Sequence, residues 1–331
     1  MPLPFHPPVA VAQASPIAEL PAEFDGAVEP KLDGWRVLID TERGQLFGRS
    51  GSNLTDRFSD IAAAAGSLAP AIIDGEILAV NSRGDIEFGK LQHRSPRGPR
   101  ASDDFSISFA AFDALARDAE DLRPLPQTAR RRHLLDLLAT SSPLIRPVPT
   151  TGDPSAALAW LSTPGVEGAV LKPDAAYRPG RAGGWLKWRR THTIDLIVTG
   201  VTATAPAHQA LVLSLPDHAG RPRAVAVTLP IGSRLRSQIA PLLHPVGKAR
   251  ELPGVVGGLP GSRPVRYVPV RPEVVVEVQA DQVAPTEFAR FRHRPRVLRV
   301  RAELHPMQLS AAPDPDESAG RQPGDDPSDD S

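Results

Sequence analysis

Between Gly26 and about Asp195, short apolar runs alternate with helical periods. The runs Arg36–Ile39, Ala71–Val80, Phe105–Phe112 and Gly168–Lys172 read as strands. Arg57–Leu68, Arg130–Thr140 and Ser155–Leu161 read as helices, the last entered through Asp153-Pro154, an N-cap and first-turn pair. Helices do not follow strands in strict alternation, so the pattern predicts an α+β domain with antiparallel sheets rather than a doubly wound parallel one. From Ile194 the texture changes to short β segments at Leu196–Val201, Ala210–Leu215, Ala224–Leu229, Val265–Val268 and Val274–Val278, with one helix at Ser233–Leu243. Five strands and a helix in that space predict a small β-barrel of the OB-fold type. Residues 1–22 are rich in Pro and Ala and read as an extended lead-in. The tail after Ser310 holds too little apolar surface to bury a core and reads as disordered. The expected division is a lead-in over 1–22, domains over 23–192 and 193–306, and a tail over 307–331.

Composition narrows the classes. Apolar residues make up 41% and charged residues 23%, the balance of a globular protein. No apolar run approaches the roughly 18 residues of a membrane span, and the first twenty residues lack Lys and Arg, so neither membrane nor secretory signal is expected. Without cysteine there is no disulfide, thiolate metal site or Cys nucleophile. The formal net charge is zero, but residues 311–331 carry seven acids against Arg321, which leaves the remainder of the chain mildly basic. Only five of the 38 basic residues are lysines, namely Lys31, Lys90, Lys172, Lys187 and Lys248. In a chain this biased to Arg, each Lys is a candidate for chemistry that a guanidinium cannot perform, above all nucleophilic attack after losing a proton.

Lys31 lies in Glu29-Pro30-Lys31-Leu32-Asp33-Gly34-Trp35-Arg36, a turn-like stretch before a strand. The segment reads either as an exposed turn or as a nucleophile site. A free lysine, with a pKa of about 10.4, is neutral in about 1 of 2,500 molecules at pH 7, so a nucleophile needs burial and nearby positive charge. Arg36, Lys187 and Arg189 are the candidates to supply that charge. Asp74 and Glu76 interrupt an apolar strand, where unpaired carboxylates are costly; a metal, a partner or a structural ion pair would each account for them. Phe112 falls on the polar face of its strand beside Asp113, placed either to stack on a nucleobase or to pack on a helix. Glu167 and Lys172 bound another apolar run. In Trp185-Leu186-Lys187-Trp188-Arg189, strand parity sends Lys187 and Arg189 the same way, as a two-pronged phosphate clamp requires.

These segments together resemble the collinear motifs of the covalent nucleotidyltransferases, the superfamily of ATP-dependent DNA ligases, RNA ligases and mRNA capping enzymes. The motifs are Lys31–Arg36, Asp74-Gly75-Glu76, Phe109–Asp113, Glu167–Lys172 and Trp185–Arg189. The match is closest to compact bacterial ATP-dependent DNA ligases, whose carboxyl-terminal signature is echoed by Val274–Val278 and the arginine-rich Arg290–Arg301. The resemblance covers about residues 20–306. It implies that Lys31 attacks the α-phosphate of ATP and carries AMP. Glu29 would accept from the adenine amino group, Phe112 would stack on the ring, and Arg49 would contact the nucleotide or the 5′-phosphate of a nick. Arg36, Lys187 and Arg189 would hold phosphates. Glu76 would bind the ribose or a metal, with Glu167 and Asp33 as further ligands of Mg²⁺ or another divalent cation. Arg296, Arg299 and Arg301 would grip the β,γ-phosphates; strand parity puts Arg290, Arg292, Arg294 and Arg296 on one face and Arg299 and Arg301 on the other, with Pro295 interrupting the register.

Arg189 departs from the usual Lys of its motif but keeps the charge. No large helical DNA-binding domain precedes Lys31, so the resemblance implies a core ligase. The expected partners are nicked or broken duplex DNA and end-binding or polymerase proteins, for a monomer in a bacterial cytoplasm. An RNA ligase, a GTP-using capping enzyme and a non-catalytic nick-binding protein are the rival readings. Against the capping enzyme, Glu29 favours adenine, because guanine presents a carbonyl where adenine presents an amino group.

Overall fold

The computed structural model of the chain describes residues 2–100, 102–202, 209–257, 263–280, 291 and 294–310. It forms two compact units that divide between Arg190 and Thr191.

The first unit is built from β1 (Ser15–Ile17), β2 (Gly26–Leu32), β3 (Trp35–Asp40), β4 (Gln45–Gly48), β5 (Ala71–Val80), β6 (Ser106–Arg117), β7 (Glu120–Asp121), β8 (Ile145–Pro147), β9 (Val166–Pro173) and β10 (Leu186–Arg189). One sheet runs β4-β3-β5-β6-β7 with β8 added to β6; the other runs β1-β10-β9-β2. Pairing is antiparallel except for β1 on β10 and β8 on β6. β5 explains the layering. Its odd residues Ala71, Ile73, Ile77 and Ala79 join Phe58, Ile61, Leu91, Phe109 and Leu134 in the main core, where each large side chain is worth about 1.5–3 kcal/mol. Its even residues include Ile72, Asp74, Glu76 and Leu78, which belong to the opposite face. Both faces are covered, hence the near-continuous apolar run. Gly75 is required on the core face, since a Cβ there would lie 2.3 Å from the Phe109 ring.

The core face is capped by α1 (Ser59–Ala65), α2 (Phe88–His93) and α3 (Gln127–Leu138). α1 is shorter than its periodicity predicts. The expected helix at 155–161 is a 3₁₀ helix, Ser155–Ser162, with the Asp153 carboxylate accepting from the Ser155 amide at 2.8 Å and so acting at its entry. The first residues are more than a lead-in. Leu3, Val11 and Ala12 are buried, the Gln13 amide donates to the Gly180 carbonyl while the Gly180 amide donates to that of Val11, and β1 extends the smaller sheet. Apolar Leu3, Val11 and Ala12 have a ready cleft beside Tyr177 and Trp185, which is why this Pro-rich segment is held.

The second unit is an antiparallel sheet in the order β13-β12-β11-β15-β14, with β16 on β15. Its strands are β11 (His192–Thr202), β12 (Leu211–Pro216), β13 (Pro222–Val227), β14 (Arg250–Leu252), β15 (Val265–Ala280) and β16 (Arg296–Val300). The Phe291 amide donates to the Val225 carbonyl and the Leu229 amide to the Pro295 carbonyl, so the segment entering β16 also meets the far edge of the sheet, as the expected barrel requires. α4 (Ser233–Ile239) packs on the barrel core through Leu235 and Ile239. The two strands expected at 265–268 and 274–278 are one. The register on β11 passes from Val198↔Val274 to Gly200↔Pro269, so 270–273 bulge out of an otherwise continuous strand. Pro269 and Pro272, which lack N–H groups, fit that interruption. Among the described residues no helix is long and apolar enough to cross a membrane. Of the tail expected over 307–331, residues 311–331 lie outside the described residues, while Pro306–Gln308 form a 3₁₀ helix because the His305 ring accepts from the Met307 amide and the Gln308 side chain accepts from the His305 amide.

Candidate active site

In the smaller sheet, antiparallel pairing sets side chains in rows across β2, β9 and β10. Lys31 pairs with Gly168, which pairs with Arg189; Glu29 pairs with Val170, which pairs with Lys187. Each row therefore projects from one face of the sheet. By parity Glu167 should point the other way. The register shifts there, from Lys31↔Gly168 to Leu32↔Val166, and leaves Glu167 as the extra residue of a bulge. That bulge re-aims the side chain, and Glu167 Oε2 accepts from Lys31 Nζ and lies 3.0 Å from Arg189 Nη2.

This face overlooks a cavity of about 250 Å³. Glu29, Lys31, Arg36, Arg49, Glu76, Phe112 and Lys187 all line it, joined by Lys172, Trp185 and Arg181. At one end Glu29 is 2% exposed; its Oε2 lies 2.7 Å from Lys172 Nζ, while its Oε1 is buried with no hydrogen-bond partner. Burial pushes the Glu29 carboxyl up, and Lys172 opposes the shift. Phe112 and Trp185 meet edge to face, with centroids 6.1 Å apart, and form a wall beside this carboxylate. At the other end, burial and the charges of Lys31, Arg189, Arg181 and Arg49 push the Lys187 ammonium down. The arrangement offers an orphaned acceptor, an aromatic wall, a primary amine and a group of cations, which is the donor set an adenine nucleotide needs.

Arg36 lines the cavity, but its donors are engaged. Nε and Nη2 form a fork on Asp74 at 2.9 and 2.6 Å, Nη2 also reaches the Tyr177 hydroxyl at 3.2 Å, and Nη1 donates to the Ala12 carbonyl. Tyr177 in turn donates to Asp74 at 2.8 Å and accepts from the Ala12 amide. Expected as a phosphate ligand, Arg36 is here the strut that ties β3, β5 and the first residues together. Asp113, beside Phe112, is likewise fixed by a fork from the fully buried Arg130 at 2.8 and 3.0 Å.

The three expected metal ligands do not gather into one cluster. Among the described residues no group of three His, Asp or Glu side chains is placed to hold an ion. Asp33 does not line the cavity, and its amide donates to the Gly165 carbonyl. Glu76 and Glu167 are close enough to feel each other: burial first, with Asp74 and Glu167, raises the Glu76 carboxyl to about 7 against Arg36 and Lys31. Two carboxylates beside a phosphate site fit Mg²⁺, which is commonly held by one or two carboxylates plus substrate phosphates.

Arg296, Arg299 and Arg301 belong to the second unit. Arg299 Nε lies 2.7 Å from Glu277, and Arg301 bonds Asp195 at 2.8 Å and Glu303 at 2.6 Å. Parity expected Arg299 and Arg301 on one face, and both reach this acidic group. Both are therefore neutralised within their own barrel. Arg290 and Arg292 lie outside the described residues.

Sequence reading missed Tyr177 and Arg130. Nothing in the helical run Arg130-Arg131-Arg132 marks Arg130 as the buried one. Lys172 did carry a signal, as one of the few lysines, but its partner Glu29 is not a sequence neighbour.

With this geometry in hand, known proteins can be compared. Residues 8–189 match the family model of the ATP dependent DNA ligase domain. The chain is 30% identical to DNA ligase C of Mycobacterium tuberculosis, over 94% of this chain and 95% of that protein. It is 31% identical to the multifunctional non-homologous end joining protein LigD of Mycolicibacterium smegmatis, over 76% of this chain but 33% of that longer protein. The crystal structure of the ligase domain of M. tuberculosis LigD superposes with a TM-score of 0.50 at 24% identity, covering 93% of this chain and 97% of that one. The chain belongs to the ATP-dependent DNA ligase family.

Proposed function

We propose that the chain seals breaks in duplex DNA through a lysyl-AMP intermediate. Lys31 Nζ attacks the α-phosphate of ATP; a P–N bond forms, the bond to the β-phosphate breaks, and pyrophosphate leaves. AMP then passes to the 5′-phosphate of a nick, and the 3′-hydroxyl displaces it as the phosphodiester forms. The observation that carries this reading is the pairing of ends in one cavity: the partnerless Glu29 Oε1 at one end and Lys31 among cations at the other. Glu29 Oε1 accepts from an adenine amino group and has nothing to accept from a 6-oxo purine, which favours ATP over the GTP of a capping enzyme.

Lys31 must give up both its ion pair and a proton before it attacks. Its hydrogen bond to Glu167 gives the proton a direction. Lys187, Arg189, Arg49 and Arg181 balance phosphate charge as it shifts to the leaving group. Glu76 and Glu167 would hold Mg²⁺, which supplies further charge neutralisation on the phosphates. Arg296, Arg299 and Arg301 are assigned to the β,γ-phosphates, a role that requires Arg299 and Arg301 to leave their acidic partners.

The substrate is nicked or broken duplex DNA in the cytoplasm. Since one relative is named for non-homologous end joining, the partners are proteins that hold or fill DNA ends, and the chain itself is a monomer. The test is incubation with α-labelled ATP followed by denaturing electrophoresis. The wild type should carry label, and K31A and K31R should carry none, since a guanidinium stays protonated at neutral pH. Labelling of either variant at the wild-type level would remove Lys31 from the reaction.

A further inference from the structure

Lys172 is one of five lysines in the chain and is 1% exposed. Its ammonium lies 2.7 Å from Glu29 Oε2, donates to the Phe112 carbonyl at 3.0 Å, and sits 4.4 Å from the centroids of both the Phe112 and Trp185 rings. It thus touches the buried carboxylate and both rings of the aromatic wall. An ammonium is a compact donor with no acceptor capacity. By occupying Oε2 it leaves Glu29 a single outward function, the bare acceptor Oε1. By holding the Phe112 backbone it fixes the aromatic wall relative to that acceptor.

We infer that Lys172 is a positioning residue for base recognition: it holds Glu29 as an acceptor-only carboxylate and sets the preference for a 6-amino over a 6-oxo purine. The inference rests on the reading of Glu29 given above. Without the Lys172 charge, a carboxylate this deeply buried takes a proton from solvent. The resulting acid donates through its O–H, and a donor at this position suits a 6-oxo base. The other charges facing Glu29 are Arg131 from α3, which keeps some negative charge on the carboxylate, and Asp113 from β6, which opposes it. Arg131 stays in place, since its Nη2 donates to the Val148 carbonyl, so loss of Lys172 should erode selectivity without reversing it.

The experiment measures adduct formation with ATP and with inosine triphosphate, which differs from ATP only at the 6 and 1 positions of the base, by intact-protein mass. Wild type should prefer ATP by at least about a hundredfold in kcat/KM. K172M should raise KM for ATP about tenfold or more, keep kcat within about threefold, and cut the ATP preference at least about tenfold, the pattern of lost binding rather than lost chemistry. K172Q keeps a donor for the Phe112 carbonyl; it should behave the same way and decides the question if K172M does not fold. Introduced into E29Q, either change should alter the preference by less than about threefold, because the group it positions is already gone. A fall in kcat with KM and preference intact, or full additivity with E29Q, overturns the role of Lys172. Equal use of both nucleotides by the wild type would instead overturn the reading of Glu29 itself.

Discussion

A carboxyl beside four other charged groups carries its own pH signature. Glu76 titrates near 7 in the folded chain against 4.5 for the free group, chiefly because it is buried. The folded state then binds the proton more tightly than the unfolded one. Between about pH 4.5 and 7 the unfolded chain has released that proton and the folded chain has not, so stability falls as pH rises through this window. The E76Q variant mimics the protonated form. Measured in EDTA by chemical unfolding, it should match wild type at low pH and gain on it by on the order of 3 kcal/mol by pH 8. A difference that stays flat with pH would show that Glu76 is ionised throughout. The sequence exposed this residue because a lone acid in an apolar strand is conspicuous. It concealed the Arg36–Asp74–Tyr177 network: Tyr177 lies 103 residues from Asp74, and only the fold brings them to hydrogen-bonding distance. For the same reason Arg36 looked like a phosphate ligand. A guanidinium beside a nucleophile and one locked to a buried carboxylate are spelled the same way.

Among the elements, β9 sets the spacing of the site, because it separates the strand of Lys31 from the strand of Lys187 and Arg189. Gly168 is its critical position. A Cβ there would lie 2.1 Å from the Trp188 carbonyl oxygen and 2.9 Å from the Arg189 Cα, all backbone atoms of β10. G168A must therefore push β10 away, at the cost of overpacking, about 1–3 kcal/mol. It should lower the urea midpoint accordingly and slow enzyme–AMP formation at least about tenfold, because Arg189 and Lys187 move with β10 while Lys31 stays. Wild-type activity in a destabilised G168A would separate the strand geometry from the chemistry. Most strands were legible as apolar runs; β5 coincides with its predicted limits. The bulge at Glu167 was not, since a one-residue register shift leaves no mark in composition. Nor was the fusion of two predicted strands into β15, since the bulge that accommodates Pro269 and Pro272 leaves no apolar run across them.

Over the whole molecule, charge is divided unequally along the chain. Residues 311–331 carry seven acids and one arginine, and the chain before them carries the compensating excess of base. A protein ending at Ser310 should bind nicked duplex more tightly at low salt, and the advantage should fade as salt screens both tail and phosphates. Unchanged affinity at low salt would mean the tail does not compete with DNA for the basic surface. The first unit has a different whole-chain property, set by the pairing of β2 with β9. Lys31 and its partner Glu167 are 136 residues apart. At the roughly 5–20 residues per second of synthesis, Lys31 leaves the ribosome on the order of 10 s before the strand it pairs with has been made. A chain stalled or cleaved in that interval has Lys31 but neither β9 nor β10. Under the mechanism proposed above, incomplete copies cannot charge themselves with AMP, and adenylation would report that the first unit has been translated to its end.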